Sequence, residues 1–151
     1  MKDLEYSRLA VDMAKKSFEE GSFPAGAVIV KDGKIISKNT SAKYPKINFH
    51  AESKTIDEAI NNLDIQLTGC TLYCSMEPCL MCLSRAYWAG IRRIVYVVKK
   101  SNVDYKLCYE SDIDQQLLVK NFNENIEIVH VGDLEKEALS IYYKWIENNK
   151  T

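Results

Sequence analysis

Two periods alternate along this chain. Over residues 3–20, Tyr6, Leu9, Ala10, Met13, Ala14, Ser17 and Phe18 recur at helical spacing, with Asp12, Lys15, Lys16 and Glu19 opposite, which predicts an amphipathic helix capped by Gly21. Ala27-Val28-Ile29-Val30 is too short for a helix and apolar on both faces, as in a strand covered on both sides. Asp32-Gly33 suits a hairpin turn that needs positive φ, and Ile35-Ile36-Ser37-Lys38-Asn39 returns as a more polar edge strand. A loop over residues 40–49 leads to a helix over about 50–62, with Ala51, Ile56, Ala59 and Ile60 as its apolar stripe.

The second half repeats the alternation. Residues 70–74 read as a strand, and Pro78 is suited to the first position of a helix over 78–89. That helix is apolar nearly all round, the pattern of one buried in a core or against another subunit. Residues 94–98 form a buried strand and 99–111 are polar and irregular. A short helix over 112–119, a strand over 126–131 and a helix capped by Asp133 and running through Glu147 complete the chain. This order predicts a three-layer α/β/α sandwich around a central five-stranded mixed sheet, its last strands parallel. One domain over residues 1–151 is expected.

Composition narrows the function classes. A net charge of −1, from 20 Lys and Arg against 21 Asp and Glu, supplies no global field for nucleic acid or an anionic membrane. Met1-Lys2-Asp3-Leu4-Glu5 carries acids where an export signal needs apolar residues, and no apolar run approaches the ~20 residues of a membrane span. Five cysteines, an odd number without an export signal, point to a reducing cytoplasm with some thiols on metal.

The chemistry lies in His50-Ala51-Glu52 and Pro78-Cys79-Leu80-Met81-Cys82. His50, Cys79 and Cys82 offer one zinc ion an imidazole and two sulfurs, leaving the fourth tetrahedral position open as catalytic sites do. Cys79 and Cys82, spaced i, i+3, share one face of a first helical turn, where the helix dipole favours thiolates. Glu52 is a carboxylate two positions from His50, placed to move protons. A lone C-x-x-C is commonly a structural zinc knuckle or a redox pair, but proline, both cysteines, histidine and glutamate occur here in order at helix starts. Cys74 is a fourth-ligand candidate that would close the site; as strand residues, Cys70 and Cys74 belong in the core. Glu77 reads as a local hydrogen-bond partner, and Cys108 and His130 as incidental.

These segments resemble the cytidine/deoxycytidylate deaminase superfamily over essentially the full chain. Glu77-Pro78-Cys79-Leu80-Met81-Cys82, and Gly26-Ala27-Val28-Ile29-Val30 before the Asp-Gly turn, are similar to the branch of guanine deaminases, tRNA-specific adenosine deaminases and fungal cytosine deaminases. The resemblance implies a cytidine deaminase-like fold and hydrolytic deamination of a purine or pyrimidine base or nucleoside, with release of ammonia. It also implies Glu52 as proton carrier, Asn39 and Ala51 against the base, and a homodimer in which helix 78–89 buries one face. Tyr87-Trp88-Ala89 is similar to guanine deaminases, which implies Trp88 lining the pocket and Glu110 reading the guanine edge. Conversion of guanine to xanthine is therefore the first expectation. The alternatives are tRNA adenosine to inosine, drawing on Arg92, Arg93, Lys99, Lys100 and Lys106, or cytosine and cytidine deamination. Phe49, Lys46-Ile47-Asn48 and Phe23-Pro24-Ala25-Gly26 depart from the family pattern on the substrate side of the pocket. A non-catalytic zinc-stabilised interaction domain is the competing class; Glu52 argues against it, because a structural site needs no proton carrier.

Overall fold

The computed structural model describes residues 2–43, 48–103, 110 and 113–149. Helix α1 (Lys2–Glu19) precedes the hairpin β1 (Gly26–Lys31) and β2 (Lys34–Thr40). Helix α2 (Ala51–Leu63), β3 (Thr71–Met76), α3 (Leu80–Trp88) and β4 (Arg93–Val98) follow. Then come α4 (Gln115–Val119), β5 (Glu127–His130) and α5 (Glu135–Asn148). The sheet runs β2-β1-β3-β4-β5, antiparallel about β1 and parallel from β3 to β5. This is the expected mixed five-stranded sheet between two helical layers.

Local chemistry explains the elements. Asp32 and Gly33 both have positive φ, 50° and 76°, so the two-residue turn matches the strand twist. Gly26 opens β1 where α1 crosses it: a Cβ there would meet the Ala10 carbonyl oxygen at 2.4 Å and the Ala14 nitrogen at 2.5 Å. Val28, Val30, Tyr73 and Val95 pack on the α1 face with Ala10. Val97 and Val98 join Leu134 and Ala138 beside α5. Ala27, Ile29, Leu72, Cys74 and Ile94 fill the opposite face under α2 and α3, with Ala51, Ile56, Ala59, Leu83 and Ala86.

Three element expectations shift. α3 begins at Leu80 with Cys79 as its N-cap, so Pro78 lies before the cap and not at the first helical position. The Cys79 sulfur takes the N-cap acceptor role usually held by oxygen, receiving the Cys82 N–H at 3.4 Å. α5 is entered through a 3-10 turn, Gly132–Leu134, so Asp133 belongs to that turn and Leu134 is the helix N-cap. α3 is also not buried all round, since Met81 and Trp88, seven residues apart on its outer side, are 42% and 81% exposed. Residues 104–109, with Tyr105, Lys106, Cys108 and Tyr109, lie outside the described residues, as do Pro45, Lys46 and Ile47. Among the described residues, no helix is long and apolar enough to cross a membrane.

Candidate active site and metal centre

Two helix beginnings face each other on the α2–α3 side of the sheet. His50 is the N-cap of α2, in extended conformation with no side-chain capping bond, which leaves its imidazole free of that duty. Cys79 is the N-cap of α3, and Cys82 lies in that helix's first turn. The His50 Nδ1 atom is 3.4 Å from the Cys79 sulfur and 3.5 Å from the Cys82 sulfur. Zn–N of about 2.05 Å and Zn–S of about 2.3 Å at tetrahedral angles require N···S separations of about 3.5 Å. The three donor atoms therefore have the spacing of zinc ligands, and all lie within 4.8 Å of one another. With Cys79 and His50 each at a helix N-cap, the positive ends of both helix dipoles lie toward the sulfurs.

The two sulfurs are shifted in opposite directions. Hydrogen bonding from Cys82 holds the Cys79 thiol far below its ordinary value, at about 4, against the opposing effect of burial. Cys82, bonded to Cys79 and desolvated, is pushed up. A Cys79 thiol held low in this way favours capture of a divalent cation. Ser53, 1% exposed, brings its hydroxyl to 3.6 Å from the Cys82 sulfur. No pattern in the sequence singled out this serine, although it lies one turn beyond His50 on the same helix.

Glu52 is 5% exposed in the first turn of α2, and the Cys82 S–H reaches its Oε2 at 3.6 Å. Burial lifts its carboxyl to about 7, opposed by a backbone hydrogen bond. A carboxyl balanced near neutral pH can both take and return a proton. Cys74 is fully buried among the apolar side chains of the core and is not in the ligand cluster found among the described residues. Cys70, also buried, belongs to that core.

The substrate-side residues divide. Ala51 is fully buried beside His50. Asn39 pairs across the sheet with Ala27, and Ala27 with Cys74, so Asn39 is on the α2–α3 face in the row that runs under the metal centre. Its amide donates to Glu58 of α2 at 2.5 Å. Trp88 lies at the far end of α3 from Cys79, 81% exposed, beside Ile60 and Ile65. It is not brought to the cluster, because the helix carries it about 9 Å along its axis from Cys82. Glu110 points both carboxylate oxygens at the Leu80 N–H, at 3.1 and 3.3 Å, with the Lys100 ammonium at 2.7 Å. His130 lies on β5, held by the Val97 carbonyl and Glu135. Glu77 accepts the Lys100 N–H at 3.3 Å, the local role expected of it.

The family model for the cytidine and deoxycytidylate deaminase zinc-binding region matches residues 1–98, which include His50, Glu52, Cys79 and Cys82. The chain belongs to this deaminase family. It is 38% identical to a tRNA-specific adenosine deaminase of Aquifex aeolicus over 147 residues, 95% of each chain. It is 34% identical to a guanine deaminase of Bacillus subtilis over 128 residues, 81% of this chain and 78% of that one. A solved tRNA:A34 deaminase, studied for A-to-I editing at the wobble position, superimposes with a TM-score of 0.74 at 26% identity, covering 91% of this chain and 99% of the other. This deaminase is a zinc enzyme for hydrolytic removal of an amino group from a nucleobase or nucleoside, and the donor spacing around His50, Cys79 and Cys82 fits that metal.

Proposed function

We propose that residues 1–151 act as one deaminase domain that converts adenosine to inosine in tRNA. When bound by His50, Cys79 and Cys82, zinc supplies the Lewis acidity that makes water a nucleophile at neutral pH. Glu52 takes a proton from the attacking water and delivers it to the purine ring nitrogen next to the reacting carbon. It then passes the second water proton to the departing amine, so that water and an amino-purine become an oxo-purine and ammonia. Asn39 and the backbone of Ala51 hold the base, with Asn39 released from Glu58 as the base enters.

The observation that carries the choice of substrate is the engagement of Glu110. The carboxylate that a guanine reading needs at the base edge is held by Lys100 and the Leu80 N–H. Trp88, the other guanine-type feature, is at the outer end of α3. Similarity over 95% of both chains to a tRNA-specific relative supports the same reading. Phe49, 45% exposed and next to His50, offers a face on which a flanking nucleotide can stack. Arg92, Arg93 and Lys100 are paired with Glu124, with Asp3 and Glu127, and with Glu110, so phosphate contacts fall to exposed Lys43 and Lys99 and to Lys54.

Guanine to xanthine stands as the second reading, supported by the Bacillus subtilis relative. The two separate in one experiment: zinc-loaded protein incubated with tRNA, adenosine, guanine and cytosine, with inosine and ammonia quantified. Inosine in the tRNA, with little ammonia from guanine, is the expected result. Rapid ammonia from guanine with tRNA unchanged would replace the first reading with the second. We also propose a homodimer formed through the outer face of α3.

A further inference from the structure

Glu110 and Gln115 reach the backbone on both sides of Cys79. Gln115, 4% exposed at the start of α4, donates its amide to the Pro78 carbonyl on one side. On the other side Glu110 accepts the Leu80 N–H with both oxygens, at 3.1 and 3.3 Å. That N–H is one of the first-turn donors that a helix leaves without an internal partner. Lys100 holds Glu110 at 2.7 Å, and their side chains are only 12% and 26% exposed. The Lys100 N–H also binds Glu77, one residue before Pro78.

We propose that Glu110, anchored by Lys100, and Gln115 are positioning residues of the metal centre: they fix the peptides on either side of Cys79 and so set the direction of its sulfur and the retention of zinc. Cys79 is the ligand for which this matters most. As an N-cap it is bound to the helix through its carbonyl, which accepts the Leu83 N–H at 2.9 Å, and through its sulfur, which accepts the Cys82 N–H at 3.4 Å. The Pro78 carbonyl and the Leu80 N–H of its two flanking peptides, by contrast, are held from outside the helix by Gln115 and Glu110. The bond from a charged carboxylate to Leu80 N–H is stronger than a neutral one, and the lysine prevents that carboxylate from swinging into solvent. Both Glu110 oxygens face the Leu80 N–H and one of them also takes the Lys100 ammonium, so the carboxylate is directed at the backbone beside Cys79. Outer residues that orient metal ligands change metal affinity by about 10- to 100-fold when removed.

The test uses the full chain and does not depend on substrate. Zinc release to an excess of chromogenic chelator is timed, and the d–d absorption of the cobalt-substituted protein reports the geometry of the two sulfurs and the imidazole. Glu110→Ala and Gln115→Leu are expected to release zinc about 10- to 100-fold faster and to shift and weaken the cobalt bands. Glu110→Gln, which keeps an acceptor for Leu80 N–H, is expected to recover most of the cobalt spectrum. If Glu110→Ala does not fold, Lys100→Met, which leaves the carboxylate in place but unanchored, is judged by the same two measurements. Release within about twofold of the parent and an unchanged cobalt spectrum, with only a lower melting temperature, would reduce these residues to ordinary helix caps and overturn the proposal. Loss of guanine turnover in Glu110→Gln with an unaltered cobalt spectrum would overturn it too, by returning Glu110 to the base.

Discussion

Glu52 combines two demands that usually conflict: it is buried, and in the proposed reaction it exchanges protons. Desolvation lifts its carboxyl to about 7, so the cost of burying the charge is what brings it into the range where it can accept and donate. A glutamine in its place keeps the size and the hydrogen bonding but has no proton to transfer. Glu52→Gln should therefore lower kcat by at least about 10²-fold, with one zinc per chain still bound by elemental analysis. Activity near the parent level would remove Glu52 from the mechanism. The residues of the metal centre were legible in the sequence because metal chemistry restricts them to imidazole and sulfur at fixed spacing. Ser53 was not, since a hydroxyl one residue beyond a motif follows no pattern. Trp88 and Glu110 show the other limit: one stands at the outer end of α3 and the other against the Leu80 N–H, positions that a residue's neighbourhood in sequence does not specify.

At the scale of elements, the start of α1 is fastened to β3 and β4. The Arg93 guanidinium binds Asp3 with two parallel bonds, 2.8 and 2.7 Å, and the Tyr73 hydroxyl donates to the same carboxylate at 2.8 Å. The Arg93 bond lowers the Asp3 carboxyl to about 2, against a smaller opposing effect of burial. Because the folded-state value lies below the unfolded one, this stabilisation is complete above pH 3.8 and disappears as pH falls toward about 2. Asp3→Asn should cost about 1 kcal/mol at neutral pH, after allowance for solvent screening, and little at pH 2. Denaturant melts at the two pH values measure the difference, and an equal cost at both would assign the effect to packing instead of charge. The elements themselves were readable where periodicity is strong, as in α1, the Asp32-Gly33 hairpin and the apolar strands. The start of α3 was misplaced because proline at the first helical position is the commoner arrangement, whereas here a ligand sulfur does the capping. The entry to α5 was misread for a similar reason: Asp133 looks like a cap, but the chain makes a 3-10 turn first.

For the whole molecule, the apolar character of α3 is only half explained by its own core. Cys82, Leu83 and Ala86 face inward, whereas Met81 and Trp88 are exposed on the outer side. Ile60 and Ile65, 37% and 53% exposed, border the same tryptophan from α2 and the loop that follows it. A tryptophan 81% exposed beside two isoleucines is an expensive surface in water, and burying such a ring removes about 150–250 Å² of its surface. The Arg85–Asp57 ion pair between α3 and α2 leaves no unpaired charge on these two side chains to oppose a second apolar copy. A two-fold contact between copies lets each tryptophan meet the same patch of its partner, with Met81 at the edge nearest the metal ligands. Light scattering on the parent chain should therefore give twice 17.3 kDa, and Trp88→Glu, which places a charge in the centre of the contact, should give 17.3 kDa. Zinc content should be the same in both, because Trp88 is remote from the donor atoms. A parent mass of 17.3 kDa, or a dimer untouched by the substitution, would remove the α3 face from the assembly and leave its exposed tryptophan to another partner.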